Sequence, residues 1–186
     1  MSSRLVIEPI ASEDALRECA TAADMAFVEQ YGSASRRCEV LAWRAIVRRE
    51  LGAEVAISHD DYGAPKVDKP NIHISVSHSR DRVAVLFSNG FCAVDIESVE
   101  RDFRRVASRY LSAEEQALAE RYDIFAEMWS AKEALYKYYK KGNLDLVKHI
   151  LIASYERGVL ICSILDSEPI EVKVKREGDL VIAVID

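Results

Sequence analysis

Residues 91–97 read FCAVDIE, in which apolar and polar side chains alternate until the stretch ends in two acids, Asp95 and Glu97. Side chains of an extended strand return to the same face every second residue, so we expect the two carboxylates to share one face at close range. Like charges held so close repel each other and need a compensating cation or a shared proton. The stretch therefore predicts a strand whose acidic end is neutralised either by a metal ion or by an arginine partner.

The segments just before this stretch also predict strands. A polar turn separates IHISVS at residues 72–77 from RVAVLF at 82–87, and the pair Asn89-Gly90 then leads into FCAVDIE. Asn-Gly between apolar runs is a strong hairpin signal because both residues tolerate positive φ. We therefore predict an antiparallel meander of three strands that ends in the acidic pair.

The N-terminal part of the chain predicts helices between two strands. LVIEPI at residues 5–10 reads as a short strand, and helices are expected at about 12–31 and 35–51, each closed by a glycine. AEVAIS at residues 53–58 is predicted to be a strand. The Gly-, Pro- and Asp-rich segment 59–70 is predicted to be a loop.

The C-terminal part repeats this alternation of helices and strands. Ser112 and Glu115 have the spacing of a capping box, and a long helix is expected at about 123–142. The remainder alternates apolar segments with turns, which is typical of an antiparallel meander. We therefore predict an α+β fold of two halves, residues 1–97 and 98–186, that form one compact unit.

Composition narrows the function classes. The 186 residues are 49% hydrophobic and 30% charged, as in an ordinary globular domain, and the formal net charge of −6 argues against nucleic acid as a partner. No apolar run reaches the roughly 18 residues of a membrane span, and the first residues are too acidic for a secretory signal. Four scattered cysteines without a CxxC pair favour reduced thiols and a cytoplasmic location.

A third acid lies in WSAKEALYK, residues 129–137. Trp129, Glu133 and Lys137 are spaced i, i+4 and i+8, so they lie along one helix face. Such a pair of charges is either an ordinary surface interaction or a catalytic acid–base with a cation that offsets phosphate charge. Carboxylate oxygens are the ligands that Mg²⁺ prefers, and Mg²⁺ usually shares its site with substrate phosphates.

SVSHS, residues 75–79, places Ser77 and His78 at a strand end, where a lone histidine is either inert or a ligand contact. No GxSxG elbow supports a serine hydrolase. The chain also has neither a GxxxxGKS nor a GxGxxG phosphate loop. Any phosphate chemistry must therefore depend on other residues.

The order of these motifs is more specific than any one of them. GAP at 63–65, then SVSHS, VDIE and WSAKEALYK, resembles the 4′-phosphopantetheinyl transferase superfamily, in its long, two-halved surfactin-synthetase-activating form. The resemblance is densest from Gly63 to Gly142. It implies two similar α+β halves, a pseudo-dimer with antiparallel three-stranded sheets packed on helices, and coenzyme A bound between them.

The resemblance also implies a reaction, that of a holo-[acyl-carrier-protein] synthase. A serine hydroxyl of an apo acyl or peptidyl carrier protein attacks the β-phosphate of coenzyme A, and 3′,5′-adenosine bisphosphate leaves. Asp95, Glu97 and Glu133 match the family's magnesium-binding acids, and manganese would suit the same oxygens. Glu133 would also deprotonate the serine, and Lys137 would stabilise the pyrophosphate.

The resemblance assigns coenzyme A contacts as well. Ser77 and His78 match the pair on the phosphates, with His78 near the 3′-phosphate, while the loop around Gly63 matches the one that lines the adenine. The full set of expected contacts is Gly63, Pro65, Lys66, Ser77, His78, Arg36, Arg37, Lys132 and Lys137. Ala93, Ala64 and Ser75 stand where the family usually has glycine, lysine and asparagine.

The remaining expectations concern a docking patch for the carrier protein, the oligomeric state and two alternative functions. Arg101, Arg104, Arg105 and Arg109 form either a docking patch for an acidic carrier protein or a solvated helix face. A single site built from two halves makes a monomer sufficient, and we expect no membrane association. The alternative functions are a catalytically idle relative that binds coenzyme A or a carrier protein, and a different metal-dependent phosphotransferase or nucleotide hydrolase.

Overall fold

The computed structural model describes residues 3–186, which form two compact units, the first ending at Gly90 and the second running from Phe91 to Asp186. Both units combine helices with antiparallel sheets, so the predicted α+β class is confirmed. Residues 91–97 pack with the second unit, whereas the sequence suggested a division after Glu97. The organisation into two similar halves stays a prediction. Within residues 3–186, no helix combines the length and apolar character that crossing a membrane requires.

The first unit packs a three-stranded antiparallel sheet against helices. Its elements in chain order are β1 (Arg4–Pro9), α1 (Glu13–Cys19), α2 (Ala22–Val28), α3 (Ala34–Leu51), β2 (Ile57–His59), β3 (Pro65–Val67), β4 (His73–Ser79) and β5 (Arg82–Ser88). β5 is central, paired with β1 on one side and β4 on the other, and β2 and β3 form a separate hairpin. The core joins Val40 and Val47 of α3 to Val83, Val85 and Phe87, which alternate along β5.

The second unit holds a five-stranded antiparallel sheet rather than the predicted three-stranded one. Its elements are β6 (Ala93–Ser98), a 3₁₀ helix (Arg104–Arg109), α4 (Ala113–Tyr122), α5 (Phe125–Tyr139), β7 (Ile150–Glu156), β8 (Val159–Ile164), β9 (Ile170–Glu177) and β10 (Leu180–Ile185). The strand order is β6-β10-β9-β8-β7, so the predicted C-terminal meander is confirmed. The capping box of Ser112 and Glu115 begins α4 as expected. α5 packs across the sheet and supplies much of the core.

The predicted hairpin at Asn89-Gly90 is wrong. β6 pairs with β10, in a register that sets Asp95 opposite Ala183, and it does not pair with β5. Both edges of β5 are already taken by β1 and β4, so β5 has no hydrogen-bonding edge left for a further strand. The apolar periodicity identified the strands correctly but not their partners.

Three other boundaries also differ from the prediction. The helix expected at 12–31 is two helices, because Ala20 is extended and the side chain of Thr21 caps a new helix by accepting a hydrogen bond from the Asp24 amide. The strand expected at 53–58 is shorter and lies further along the chain, since β2 covers only Ile57–His59. The loop expected at 59–70 contains β3, which pairs with β2.

The break at Thr21 directs Asp24 into the first unit. This aspartate is 1% exposed, and its carboxylate accepts hydrogen bonds from Arg44 Nε at 2.5 Å and from Arg48 Nε at 2.6 Å. Burial alone raises the pKa of Asp24, but the hydrogen bonds from Arg48, Arg44 and Thr21 outweigh it and hold the pKa well below its ordinary value. The two arginines on α3 therefore tie α2 to the long helix.

We expect Asp24→Asn to lower the free energy of unfolding by about 3 kcal/mol, because it leaves a buried arginine without its counterion. Urea unfolding followed by circular dichroism measures this difference. Since the folded-state pKa is depressed, the difference should be full at neutral pH, narrow as the pH falls below about 4, and vanish below the folded-state pKa. The exposed Asp61→Asn serves as the control and should change little. Equal stability of the two variants would contradict the prediction.

Candidate active site

The acidic pair lies where β6 meets α5. β6 holds Asp95 and Glu97 on one face of the second unit's sheet, and both side chains receive hydrogen bonds from α5. Asp95 is 5% exposed, and Glu97 is half-buried. The alternation read from the sequence therefore places both carboxylates against the helix that carries Glu133.

Asp95 is held through both oxygens. Oδ1 accepts a hydrogen bond from Lys137 Nζ at 2.7 Å, and Oδ2 accepts one from Ser130 Oγ at 2.8 Å. Lys137 also donates to the carbonyl oxygen of Val94 at 3.0 Å. The structure thus brings together Asp95 and Lys137, which lie 42 positions apart in the sequence.

Glu97 contacts an indole and a guanidinium. Its Oε1 accepts a hydrogen bond from Trp129 Nε1 at 2.7 Å and a longer one from Arg101 Nη1 at 3.3 Å. Burial and the nearby charge of Asp95 raise the pKa of Glu97, against the opposing effects of Trp129 and Arg101. Trp129 therefore binds an acid of the site in addition to packing against the core.

Glu133 is the third acid. It is half-buried on α5, and within residues 3–186 no hydrogen bond or close ion pair engages its carboxylate. Burial and the charge of Asp95 raise the pKa of Glu133, while Lys137 lowers it. Asp95 therefore raises the pKa of both glutamates, so the three acids share one negative electrostatic field.

The negative electrostatic field of the three acids favours binding of the expected metal ion. Hard carboxylate oxygens with surplus negative charge, in a half-buried place, fit a divalent cation such as Mg²⁺. In the chain from residue 3 onwards, no three His, Cys, Asp or Glu side chains are already gathered as a ligand set. The oxygen donors have the chemistry that a divalent cation requires, but the structure does not draw the three acids together into a ligand set.

In the first unit the structure brings together two residues expected to bind coenzyme A. Arg36 Nη1 lies 2.7 Å from His78 Nε2, although the two residues are 42 positions apart. Arginine has only donors, so the imidazole nitrogen accepts this hydrogen bond. Glu39 Oε2 lies 2.9 Å from Arg36 and 3.4 Å from His78. The sequence reading did not identify Glu39, although its i+3 spacing from Arg36 on α3 was a usable signal.

The other expected coenzyme contacts of the first unit are placed as follows. Arg37 donates to the carbonyl oxygens of Tyr31 and Gly32 and pairs with Glu13, so its guanidinium anchors the start of α3. Ser77 is buried on β4. Gly63 has φ +83° in the turn between β2 and β3, a conformation that glycine adopts without strain. Pro65 and Lys66 follow it in β3.

The expectation that Lys132 helps to bind coenzyme A is wrong. Its side chain is 0% exposed, and its ammonium group binds Glu115 Oε2 at 2.7 Å together with the carbonyl oxygens of Leu146 and Ile150, each at 2.8 Å. Burial lowers the pKa of Lys132, against the raising effect of Glu115. An amine enclosed by three protein acceptors has no access to a ligand, so this lysine is structural.

Two of the four arginines expected to dock a carrier protein contact other residues of the chain. Arg101 lies over the rings of Phe103 and Trp129, each 4.9 Å from its guanidinium carbon, and Arg104 pairs with Glu120 and Asp123. These two arginines and Arg176 line a shallow cavity of about 340 Å³. Arg105 and Arg109, in the 3₁₀ helix, are exposed.

Comparison with known proteins agrees with this geometry. The sequence profile of the 4′-phosphopantetheinyl transferase superfamily matches residues 91–185, just over half of the chain, which is the part that carries all three acids and Lys137. The chain therefore belongs to this superfamily.

Two relatives from Bacillus subtilis are similar to part of the chain. The 4′-phosphopantetheinyl transferase ffp is 33% identical over 97 residues, which cover 48% of this chain and 43% of the relative. The 4′-phosphopantetheinyl transferase Sfp of strain 168 is 30% identical over 109 residues, which cover 53% and 49%. The chain thus spans about half the length of the curated relatives it matches.

A pair of lysine variants tests the structural role of Lys132. We expect Lys132→Met to lower the free energy of unfolding by about 3 kcal/mol or more, because it leaves Glu115 buried without its cation. Lys137→Met should cost less, since the Lys137 side chain is 30% exposed. Urea unfolding monitored by tryptophan fluorescence compares the two. A Lys132→Met protein as stable as the wild type would contradict the structural role of this lysine.

Proposed function

We propose that the protein transfers the 4′-phosphopantetheine group of coenzyme A to a serine of an apo acyl or peptidyl carrier protein and releases 3′,5′-adenosine bisphosphate. The observation that carries the proposal is the junction of β6 and α5, where Lys137 binds Asp95, Trp129 binds Glu97, and the charge of Asp95 raises the pKa of Glu133. Membership of the superfamily and the similarity to two named transferases support it.

In this mechanism Asp95, Glu97 and Glu133 would hold Mg²⁺, or Mn²⁺ in its place. When bound, the metal ion stabilises the charge that develops on the pyrophosphate oxygens. Lys137 supplies a second positive charge from a partly exposed ammonium group that Asp95 and the Val94 carbonyl keep in position. These charges favour the departure of an anionic leaving group.

Glu133 is the proposed general base. It takes the proton of the carrier serine hydroxyl as the serine oxygen bonds to the β-phosphorus, and the bond between that phosphorus and the bridging oxygen breaks. Its carboxylate is half-buried and makes no hydrogen bond among the described residues, so an oxygen is available to the serine hydroxyl. The electron pair of the broken bond leaves on 3′,5′-adenosine bisphosphate.

Arg36 and His78 are the proposed donors to the 3′-phosphate of coenzyme A. A guanidinium beside an imidazole is a suitable pair for a phosphate group, because arginine forms strong charge-assisted hydrogen bonds with its oxygens. Glu39 pairs with Arg36 and lies near His78. Ser77, Gly63, Pro65 and Lys66 remain proposed contacts to the coenzyme.

The proposed carrier-docking patch, oligomeric state and cellular location complete the proposed function. All four arginines of the proposed carrier-docking patch, Arg101, Arg104, Arg105 and Arg109, are exposed, although Arg101 and Arg104 also pair with acids of the chain. A monomer in the cytoplasm remains the expected state, and the four cysteines are present as free thiols. We propose neither a nucleic-acid partner nor a membrane partner.

The departure at Ala93 does not favour the idle relative. Ala93 is 0% exposed and packs in the apolar core of the second unit, opposite Ile185 of β10. Its methyl group therefore takes part in ordinary core packing. No observation on the described residues raises the idle relative above the transferase.

Transfer is tested by incubating an apo carrier protein with this protein, coenzyme A and Mg²⁺ and measuring the intact mass of the carrier. We expect a gain equal to one phosphopantetheine group. Glu133→Gln should reduce the rate by about a hundredfold or more, because the variant lacks the proposed base and a metal ligand. Glu168→Ala, on an exposed loop, is the matched control. Coenzyme A binding without any mass gain, across several carriers, would point instead to the idle binding protein.

Recognition of the 3′-phosphate is tested with coenzyme A and 3′-dephospho-coenzyme A. We expect Arg36→Ala and His78→Ala each to raise the KM for coenzyme A about tenfold and to leave the KM for the dephospho form nearly unchanged, because only the intact coenzyme carries the group that they bind. Arg49→Ala, at the other end of α3, is the control, since its guanidinium pairs with Glu8 and no role in binding coenzyme A is proposed for it. Equal losses with both substrates would rule out the assignment.

A further inference from the structure

Ser130 is a buried polar residue that no motif reading identified. It lies on α5 with 0% exposure, and its hydroxyl donates a hydrogen bond of 2.8 Å to Oδ2 of Asp95, which is itself 5% exposed. The bond links two elements whose pairing creates the acidic site, α5 and β6. A hydroxyl in such a place carries a desolvation cost unless it is hydrogen-bonded, and Asp95 is the acceptor that satisfies it.

The hydrogen bond from Ser130 fixes the orientation of the Asp95 carboxylate, which Lys137 alone does not fix. Lys137 reaches Asp95 Oδ1 through a flexible stem of four methylene groups and is 30% exposed, so it restrains the carboxylate less tightly than a short, buried side chain does. Ser130 has a single torsion between the helix backbone and its hydroxyl, and it holds the opposite oxygen. With a donor at each oxygen, the plane of the carboxylate is set relative to α5 and therefore relative to Glu133.

The donor is also electrically neutral. Lys137 and Arg101 each place a positive charge against an acid of the site, and each of these charges opposes the arrival of a second cation. A hydroxyl orients the carboxylate by a hydrogen bond without adding that repulsion. Ser130 thus helps to orient Asp95 while leaving its negative charge available to a metal.

We propose that Ser130 is a positioning residue that orients Asp95 for divalent-cation binding; the inference rests on the proposed metal site and extends it to a residue outside the ligand set. Groups that hydrogen-bond to metal ligands commonly change metal affinity by 10–100-fold when they are removed. The same order of effect is expected here.

The test measures binding of Mn²⁺ alone to the full chain by isothermal titration calorimetry. Ser130→Ala removes the hydroxyl, Ser130→Cys fills its volume with a poor donor, and Ser130→Thr keeps the hydroxyl. We expect the Kd for Mn²⁺ to rise at least tenfold in the Ala and Cys proteins and to return toward the wild-type value in the Thr protein. Should the Thr protein fail to fold, the Ala and Cys proteins decide the matter by themselves.

Kinetics give a second reading. In Ser130→Ala the Mg²⁺ concentration for half-maximal transfer should rise by a similar factor, and kcat at saturating Mg²⁺ should recover, while the KM for coenzyme A stays unchanged. The matched control is Ser98→Ala. Ser98 is 4% exposed and lies on β6, the strand of Asp95, but its hydroxyl accepts a hydrogen bond from the Glu100 amide. Loss of a buried serine hydroxyl that does not contact Asp95 should leave Mn²⁺ affinity unaltered.

The outcomes separate this inference from the proposed function. If the wild type binds Mn²⁺ and transfers the group, and the Ala and Cys proteins match it, the inference about Ser130 is wrong and the function stands. An equal loss of affinity in Ser98→Ala would also overturn it. If the wild type binds Mn²⁺ with Ser130-dependent affinity and transfers nothing, the inference stands and the function fails. A wild type that binds no Mn²⁺ overturns both the metal site and the role of Ser130.

Discussion

The buried ion pair between Lys132 and Glu115 is the constraint on which the second unit depends. Glu115 accepts hydrogen bonds from the amide of Ser112 at the start of α4, from the amide of Ile152 in β7 and from Lys132 in α5. One carboxylate thus fixes two helices and a strand. Since a buried charge without its partner is very unfavourable, α5 has little freedom to rotate about its axis. That fixed rotation directs the side chains of Ser130 and Trp129 toward β6.

The site follows from this geometry through short contacts. Trp129 and Ser130 bind Glu97 and Asp95, so each acid of β6 has a neutral donor from α5 and a cation nearby, Arg101 in one case and Lys137 in the other. Glu133 lies on the same helix without a hydrogen-bonding partner among the described residues. Two acids are held and one is available, which suits the metal binding and the proton transfer proposed for this site.

Much of this could be predicted from the sequence where the signal is local. The period-two alternation identified β4, β5 and β6, the i, i+4, i+8 spacing placed Glu133 and Lys137 on one helix face, and the motif order identified the superfamily. The partner of β6 could not be predicted, because side-chain periodicity does not encode which distant strand completes a sheet. Lys132 was misread for a similar reason: burial of a lysine depends on an acceptor, Glu115, that lies outside its own motif.

The pairing of β6 with β10 determines the order in which the two sheets can form as the chain is synthesised. Strands β1, β4 and β5 come together within the first 88 residues, so that sheet can form early. β6 instead takes its place beside residues 180–185, which are synthesised long after it. Contacts between such distant segments form slowly and leave apolar strands without their partners in the meantime. The acids proposed for catalysis, Asp95 and Glu97, therefore reach their final positions only after residues 180–185 have been synthesised.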